Sequence, residues 1–204
     1  MRTALRTLPL SLIGLIVLII AACGPSPAPD SASTEPPYVV TATVKDLMLS
    51  IIDLNADVVW ESVSTVSSET GVVDTRPKTD EDWARVRHGA MTLAEASNLL
   101  MMPGRRVARP GEKSETPGVE LEPEEMDALI AKDRASWNKR AEALRLAALD
   151  ILKAVEAKDS DKVFAVGEEI ERACEGCHSH YWYPNEKIPD FVVTPEPPKS
   201  TKAP

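Results

Sequence analysis

"ERACEGCHSHYWYP", residues 171–184, brings two cysteines, two histidines and three aromatic residues together before a proline. The residues upstream carry no helix breaker back to Asp159 and Ser160, either of which can cap a helix start, and Pro184 ends the run. The stretch therefore reads as the close of a helix over about residues 159–182. On that helix Cys174 and Cys177 are i and i+3, and Cys174 and His178 are i and i+4, so all three share one face.

Three chemistries use this spacing. A redox disulfide of the thioredoxin kind sits at a helix N-terminus, where the dipole favours a thiolate. Here Cys174 lies some fourteen residues into the helix, near the end where the dipole disfavours one, and no strand precedes it. A zinc site needs four ligands, usually as two pairs. Beyond Cys174, Cys177 and His178 only His88 and His180 remain as histidines, and a second cysteine pair is missing. The third chemistry is covalent haem attachment. Cys-Glu-Gly-Cys-His has the C-x-x-C-H spacing of a c-type site, in which two thiols add to the porphyrin vinyl groups and the imidazole reaches iron. This reading expects one haem c on Cys174 and Cys177, with His178 as the proximal iron ligand.

Working outward, the chain of 204 residues opens on Arg2 and Arg6, then an apolar run from Leu8 to Ile20. Thirteen residues fall short of the roughly 20 that cross a bilayer, and the pattern is that of an export signal. Ile20-Ala21-Ala22-Cys23 resembles a bacterial lipobox, which implies removal of residues 1–22 and lipidation of Cys23. The compartment beyond the inner membrane permits both disulfides and covalent haem attachment. Gly24 gives no retention signal for the inner membrane, so the expectation is a periplasm-facing lipoprotein with the outer membrane preferred. Without the leader the chain carries 21 basic against 32 acidic side chains, a formal −11, which argues against nucleic acid as a partner.

Residues 23–40 are rich in proline and serine and read as a tether; residues 184–204 read as an irregular tail. Between them, residues 41–183 form one helical domain of roughly 145 residues, enough for a single core. With 2 Phe, 3 Tyr and 4 Trp that core is mainly aliphatic. The first helix spans about 43–63, with Val44, Leu47, Met48, Ile51, Asn55, Val58 and Val59 on one face. The second spans about 79–102, capped by Thr79 or Asp80, with a stripe from Trp83 through Val86, Ala90, Leu93 and Ser97 to Met101. A long proline-punctuated connection follows to about residue 123, then a short turn over 124–131. The third helix spans about 133–158, with Ala141, Leu144, Ala148, Ile151, Leu152 and Val155 as its stripe. No alternating pattern predicts a strand. The expected fold is all-α, an up-down-up-down four-helix bundle with C-terminal C-x-x-C-H haem attachment.

Architecture and motif position over about residues 43–183 resemble the cytochrome c prime superfamily, the class II c-type cytochromes, which carry C-x-x-C-H near the end of a fourth helix. The tether, the tail and the connection over 103–123 depart from the family's usual pattern. The resemblance implies that Cys174, Cys177 and His178 are the attachment and proximal residues and that helix 1 covers the other haem face. There Met48 is the candidate distal ligand. Both His178 and Met48 lie roughly 6 to 7 Å from their helix ends at about 1.5 Å per residue, which makes them level in an up-down bundle. Met101 or Met102 could stand in for it. His88, about 140° around its helix from Trp83, and His180 are expected to be solvated. Trp137, Tyr181 and Trp182 are candidates for the haem edge, and Arg172 and Lys45 for its propionates.

The resemblance implies a membrane-anchored carrier of single electrons, serving redox partner proteins and able to form a homodimer. The alternative it implies is a five-coordinate haem protein binding NO or CO, with Met48 only packing. The sequence contains no acid–base constellation of an enzyme.

Overall fold

The computed structural model describes residues 38–186. The leader, Cys23, nearly all of the tether and most of the tail lie outside the described residues. The chain between is mostly helical with a single two-stranded sheet. Thr43 opens the first helix with a reciprocal cap: its hydroxyl accepts the Asp46 N–H at 3.0 Å and its own N–H reaches the Asp46 carboxylate at 3.0 Å. Helix α1 (Val44–Leu47) runs into a π-helical stretch, Met48–Ile52, and on into α2 (Asp53–Ser62).

The π turn corrects the expected face of this helix. Its i→i+5 bonding inserts one extra residue into the helix, so the buried line passes from Val44 and Leu47 to Ile52, Ala56, Val59 and Val63. Ile51, Asn55 and Val58, placed on the core line by a straight 3.6-residue period, are half-buried at its flank. Ser50 donates its hydroxyl to the Asp46 carbonyl, and the Asn55 amide donates to the Ile51 carbonyl at 2.7 Å. The first bond occupies a carbonyl just before the widened stretch and the second a carbonyl within it.

Strands β1 (Thr65–Ser68) and β2 (Gly71–Asp74) pair antiparallel, Val66 opposite Val73, with Gly71 at φ +129° after the turn. Every residue of this hairpin is exposed. It was not expected because no face of it is buried, so it leaves no apolar alternation to read.

Helix α3 (Asp80–Leu100) starts on Thr79 with a second reciprocal cap to Asp82. The backbone N–H groups of Thr79 and Lys78 hold the Asp82 carboxyl down to about 2. Helix α4 (Pro123–Lys132) has proline in its first turn and buries Met126 and Ile130, where only a short turn was expected. Asp133 and Asp159 cap α5 (Arg134–Glu156) and α6 (Ser160–Tyr181) through the N–H groups of Ser136 and Lys162, each at 2.9 Å.

Packing follows the stripes. Helix α3 lies along α5 and α5 along α6, while α2 touches both α3 and α6. Val59, Val86, Leu93, Ile151, Val163 and Ile170 are wholly buried where these helices meet. Trp60 donates its indole N–H to the Gly167 carbonyl at 3.0 Å, tying α2 to α6. Among the described residues, no helix is long and apolar enough to cross a membrane.

The connection over residues 101–122 is built into the structure. The first N–H groups of α1, lacking helical partners, donate to it: Val44 to the Arg106 carbonyl and Lys45 to the Val107 carbonyl, both at 2.9 Å. Arg105 is buried and donates to the carbonyls of Leu99, at 2.8 Å, and Ala42. Asp127 of α4 accepts the Val107 N–H at 2.9 Å, and the Leu121 N–H donates to the Trp182 carbonyl at 2.8 Å. The connection thus bridges the start of α1, helix α4 and the end of α6.

The α2–α3 contact is close at Gly89, where a Cβ would stand 3.1 Å from the Asn55 carbonyl oxygen and 3.1 Å from Val58 Cγ1. Gly89→Leu is expected to lower stability by about 1–3 kcal/mol, the usual cost of overpacking, read as a fall in the urea midpoint at unchanged slope.

Candidate functional site

The face of α6 that packs through Val163, Val166 and Ile170 continues as Cys174, Cys177, His178 and Tyr181. The first three are half-buried, because beyond Ile170 this face borders two cavities. The larger, of about 230 Å³, is walled by Val44 and Met48 of the first helix, Val107 and Ala108 of the connection, Met126 and Ile130 of α4, Trp137 of α5, and Cys177, His178 and Tyr181. The smaller, about 30 Å³, lies between Cys174, Ile52, Arg140 and Leu144. Met48, Trp137, Cys177 and His178 border both. The exposed residues lining the larger cavity are Leu49 and Trp182, 61% and 41% exposed, together with the charged Asp53, Lys113 and Glu115.

Cys174 and Cys177 are free thiols. Burial pushes the Cys174 thiol up to about 12, with Glu171 and Asp53 adding to it; burial pushes Cys177 to about 11, partly offset by Arg140. Asp53 is also raised, first by burial and then by Asp57, against a lowering from His178. Neutral thiols beside an apolar cavity are poor nucleophiles toward disulfides and poor zinc ligands. Among the described residues no three His, Cys, Asp or Glu side chains gather as a set that could hold a metal ion. Cys174, Cys177 and His178 are therefore spread along a helix face and do not converge on a point.

His178 is held on several sides. Trp182 and Tyr183 meet its ring edge-on, with centroids at 5.1 and 5.9 Å. The N–H groups of Trp182 and Tyr183 both donate to its carbonyl, at 2.8 and 3.0 Å. The Glu175 carboxylate lies 3.6 Å from its Nδ1. Tyr183 donates its hydroxyl to the other oxygen of Glu175 at 2.6 Å, and burial together with that bond raises the phenol well above its usual range.

Two further groups mark the site. Tyr181 is 3% exposed, packed edge-on against Trp137 at 5.1 Å, and its hydroxyl has no hydrogen-bond partner among the described residues. Arg140 donates Nη1 to the Gly176 carbonyl and sits 5.9 Å over the Tyr181 ring, yet its buried Nε is likewise unsatisfied. Two buried donors left open beside a cavity suit a bound group that brings acceptor oxygens.

Of the residues expected from sequence, Met48, Cys174, Cys177, His178, Trp137, Tyr181 and Trp182 come together here, as does Lys45, whose ammonium pairs with Glu115 at 3.1 Å. Arg172 does not: it is exposed and paired with Glu169 and Glu168. Met101 packs against the core, and Met102 accepts an Arg105 N–H on its sulfur at 3.4 Å. His88 and His180 are exposed. Sequence reasoning missed Met126, hidden in a segment read as a turn, and Arg140, one turn from Trp137 on α5. That i+3 spacing is the signal that could have found Arg140. Comparison with protein-family models, with curated proteins and with solved structures finds no match in any of the three.

The raised thiols make a direct test. At pH 8 a free cysteine of pKa about 8.5 is roughly one-quarter thiolate. In the folded, unmodified protein Cys174 and Cys177 are expected to react with iodoacetamide at least about 100-fold more slowly, with a rate still climbing at pH 10. Mass spectrometry of timed aliquots, with a guanidinium-unfolded control, reads the difference; rates within fivefold of that control would refute it.

Proposed function

We propose that this chain is an exported, lipid-anchored c-type cytochrome of the cytochrome c prime type that carries single electrons. The observation that carries the reading is the placement of Cys174, Cys177 and His178 on one helix face beside an apolar cavity, with Met48 bordering the same space. In this reading α2, α3, α5 and α6 are the members of an up-down-up-down four-helix bundle, supported by the ring of contacts that joins them.

One haem c per chain would supply a one-electron iron couple. Cys174 and Cys177 would hold it by thioethers, with His178 offering a nitrogen and Met48 a sulfur to the iron. The residues present fit such a group. The thiols are free and spaced along a face, the walls are mostly apolar with Lys45, Asp53 and a charged segment over 112–115 among the lining residues, and Tyr181 and Arg140 offer unsatisfied buried donors to carboxylates. Val107, Ala108 and Ile130 keep water from the interior side, while the exposed Leu49 and Trp182 give a partner protein access to one edge. Histidine with methionine raises the potential relative to stronger donor sets and keeps coordination constant through the redox cycle. Lipidated Cys23 holds the acidic domain at the membrane, facing the periplasm, and electron-transfer proteins are its partners.

The test is the full chain matured in a bacterium that attaches haem. Pyridine haemochrome is expected to report one covalent haem, and the reduced protein a narrow low-spin α band that carbon monoxide leaves in place. Met48→Ala is expected to give a high-spin spectrum that shifts with carbon monoxide. Colourless wild-type protein would end the reading. A wild-type spectrum that responds to carbon monoxide would favour a gas-binding haem protein, and an unaltered Met48→Ala spectrum would remove Met48 as ligand.

A further inference from the structure

Of the two residues between the cysteines, Glu175 carries a titratable side chain, and it is placed for a task. One helical turn before His178, it presents Oε1 3.6 Å from the imidazole Nδ1, while Oε2 accepts the Tyr183 hydroxyl at 2.6 Å. Tyr183 is itself fixed, because its N–H donates to the His178 carbonyl at 3.0 Å and its ring lies edge-on to the imidazole. Trp182 bounds the ring from another side at 88°. The carboxylate, the phenol and the two ring contacts define one orientation of the imidazole.

We propose that Glu175, buttressed by Tyr183, is the positioning residue of His178: its carboxylate accepts the Nδ1–H and leaves Nε2 to the iron. This rests on the reading of the chain as a haem protein. The present separation is a few tenths of an ångström beyond a hydrogen bond of 2.7–3.2 Å, within reach of a small rotation of the Glu175 side chain. A carboxylate on the far nitrogen fixes the tautomer and makes the imidazole a stronger donor, where a carbonyl acceptor does so less. A stronger donor stabilises the ferric state, so Glu175 holds the potential below the value that histidine and methionine alone would set. No bond is made or broken; one proton is shared between Nδ1 and the carboxylate.

The haem-loaded full chain tests this through midpoint potential and through the exchange rate of the His178 Nδ1 proton, followed by NMR of the ferrous protein labelled with ¹⁵N-histidine. Glu175→Gln is expected to raise the potential by about a tenfold change in the ferric-to-ferrous ratio, about 59 mV for one electron, and to speed that exchange. Tyr183→Phe, which keeps the charge but frees the carboxylate to rotate, is expected to speed that exchange to a smaller extent. Glu171→Gln removes one negative charge a turn earlier on α6 and is the control for charge alone. Equal shifts in Glu175→Gln and Glu171→Gln, with unaltered proton exchange, would overturn the proposal while leaving the haem reading intact. Absence of covalent haem from the wild-type chain would overturn both. Glu175 is exposed, so its replacement leaves the packed core untouched, and haemochrome on each variant confirms equal loading.

Discussion

A buried arginine holds this domain's working end together. Arg105 sits where the chain leaves α3, and burial lowers its pKa, with Arg134 adding to the effect. A charge in that position is tolerated because its donors are used: the carbonyls of Leu99 and Ala42 and the sulfur of Met102 all accept from it. Through those bonds the end of α3 and the approach to α1 are fixed to each other. The next residues then reach the open N–H groups of α1, and Val107 and Ala108 come to rest as a wall of the larger cavity. This crossing sets Val107 and Ala108 along the same cavity as Cys177 and His178 of α6.

Much of this was legible in the sequence because it depends on period and caps. The stripes of α3 and α5 fall where 3.6-residue spacing puts them, and Thr79 caps α3 as its side chain suggests. The common face of Cys174, Cys177 and His178 follows from the same spacing. What escaped has no local signature. A hairpin with both faces in water leaves no pattern, and Met126 looked like a turn residue because its partners lie elsewhere in the chain. Arg140 and Tyr181 are ordinary in sequence; only the fold shows that their donors are buried and open.

The electrostatics of the site are those of an apolar wall inside an acidic protein. Glu171 and Asp53 reinforce the effect of burial on Cys174, so the thiols stay neutral and compatible with the cavity they border. Arg140 is the counterweight, lowering Cys177 slightly while placing a cation beside Tyr181. Apolar side chains such as Met48, Val107 and Ile130 and the open donors of Tyr181 and Arg140 thus divide the site between apolar contact and hydrogen bonding. A purely apolar ligand would leave those donors unsatisfied at a cost of roughly 1–3 kcal/mol each.

The π turn at Met48–Ile52 is what lets one helix serve both the core and the site. In an unbroken α-helix the line through Ile52, Ala56 and Val59 extends back to Lys45 and to Met48 and Leu49, turning Val44 and Leu47 away from the interior. One extra residue resets the phase, so both halves bury their apolar side chains and Met48 falls between them, bordering each cavity. A methionine there is neither sealed in the core nor lost to solvent. The widened turn costs ideal backbone bonding, and the Ser50 and Asn55 side chains offset part of that cost by donating to nearby carbonyls. The irregularity thus leaves a soft, adaptable thioether lining the same two cavities as His178.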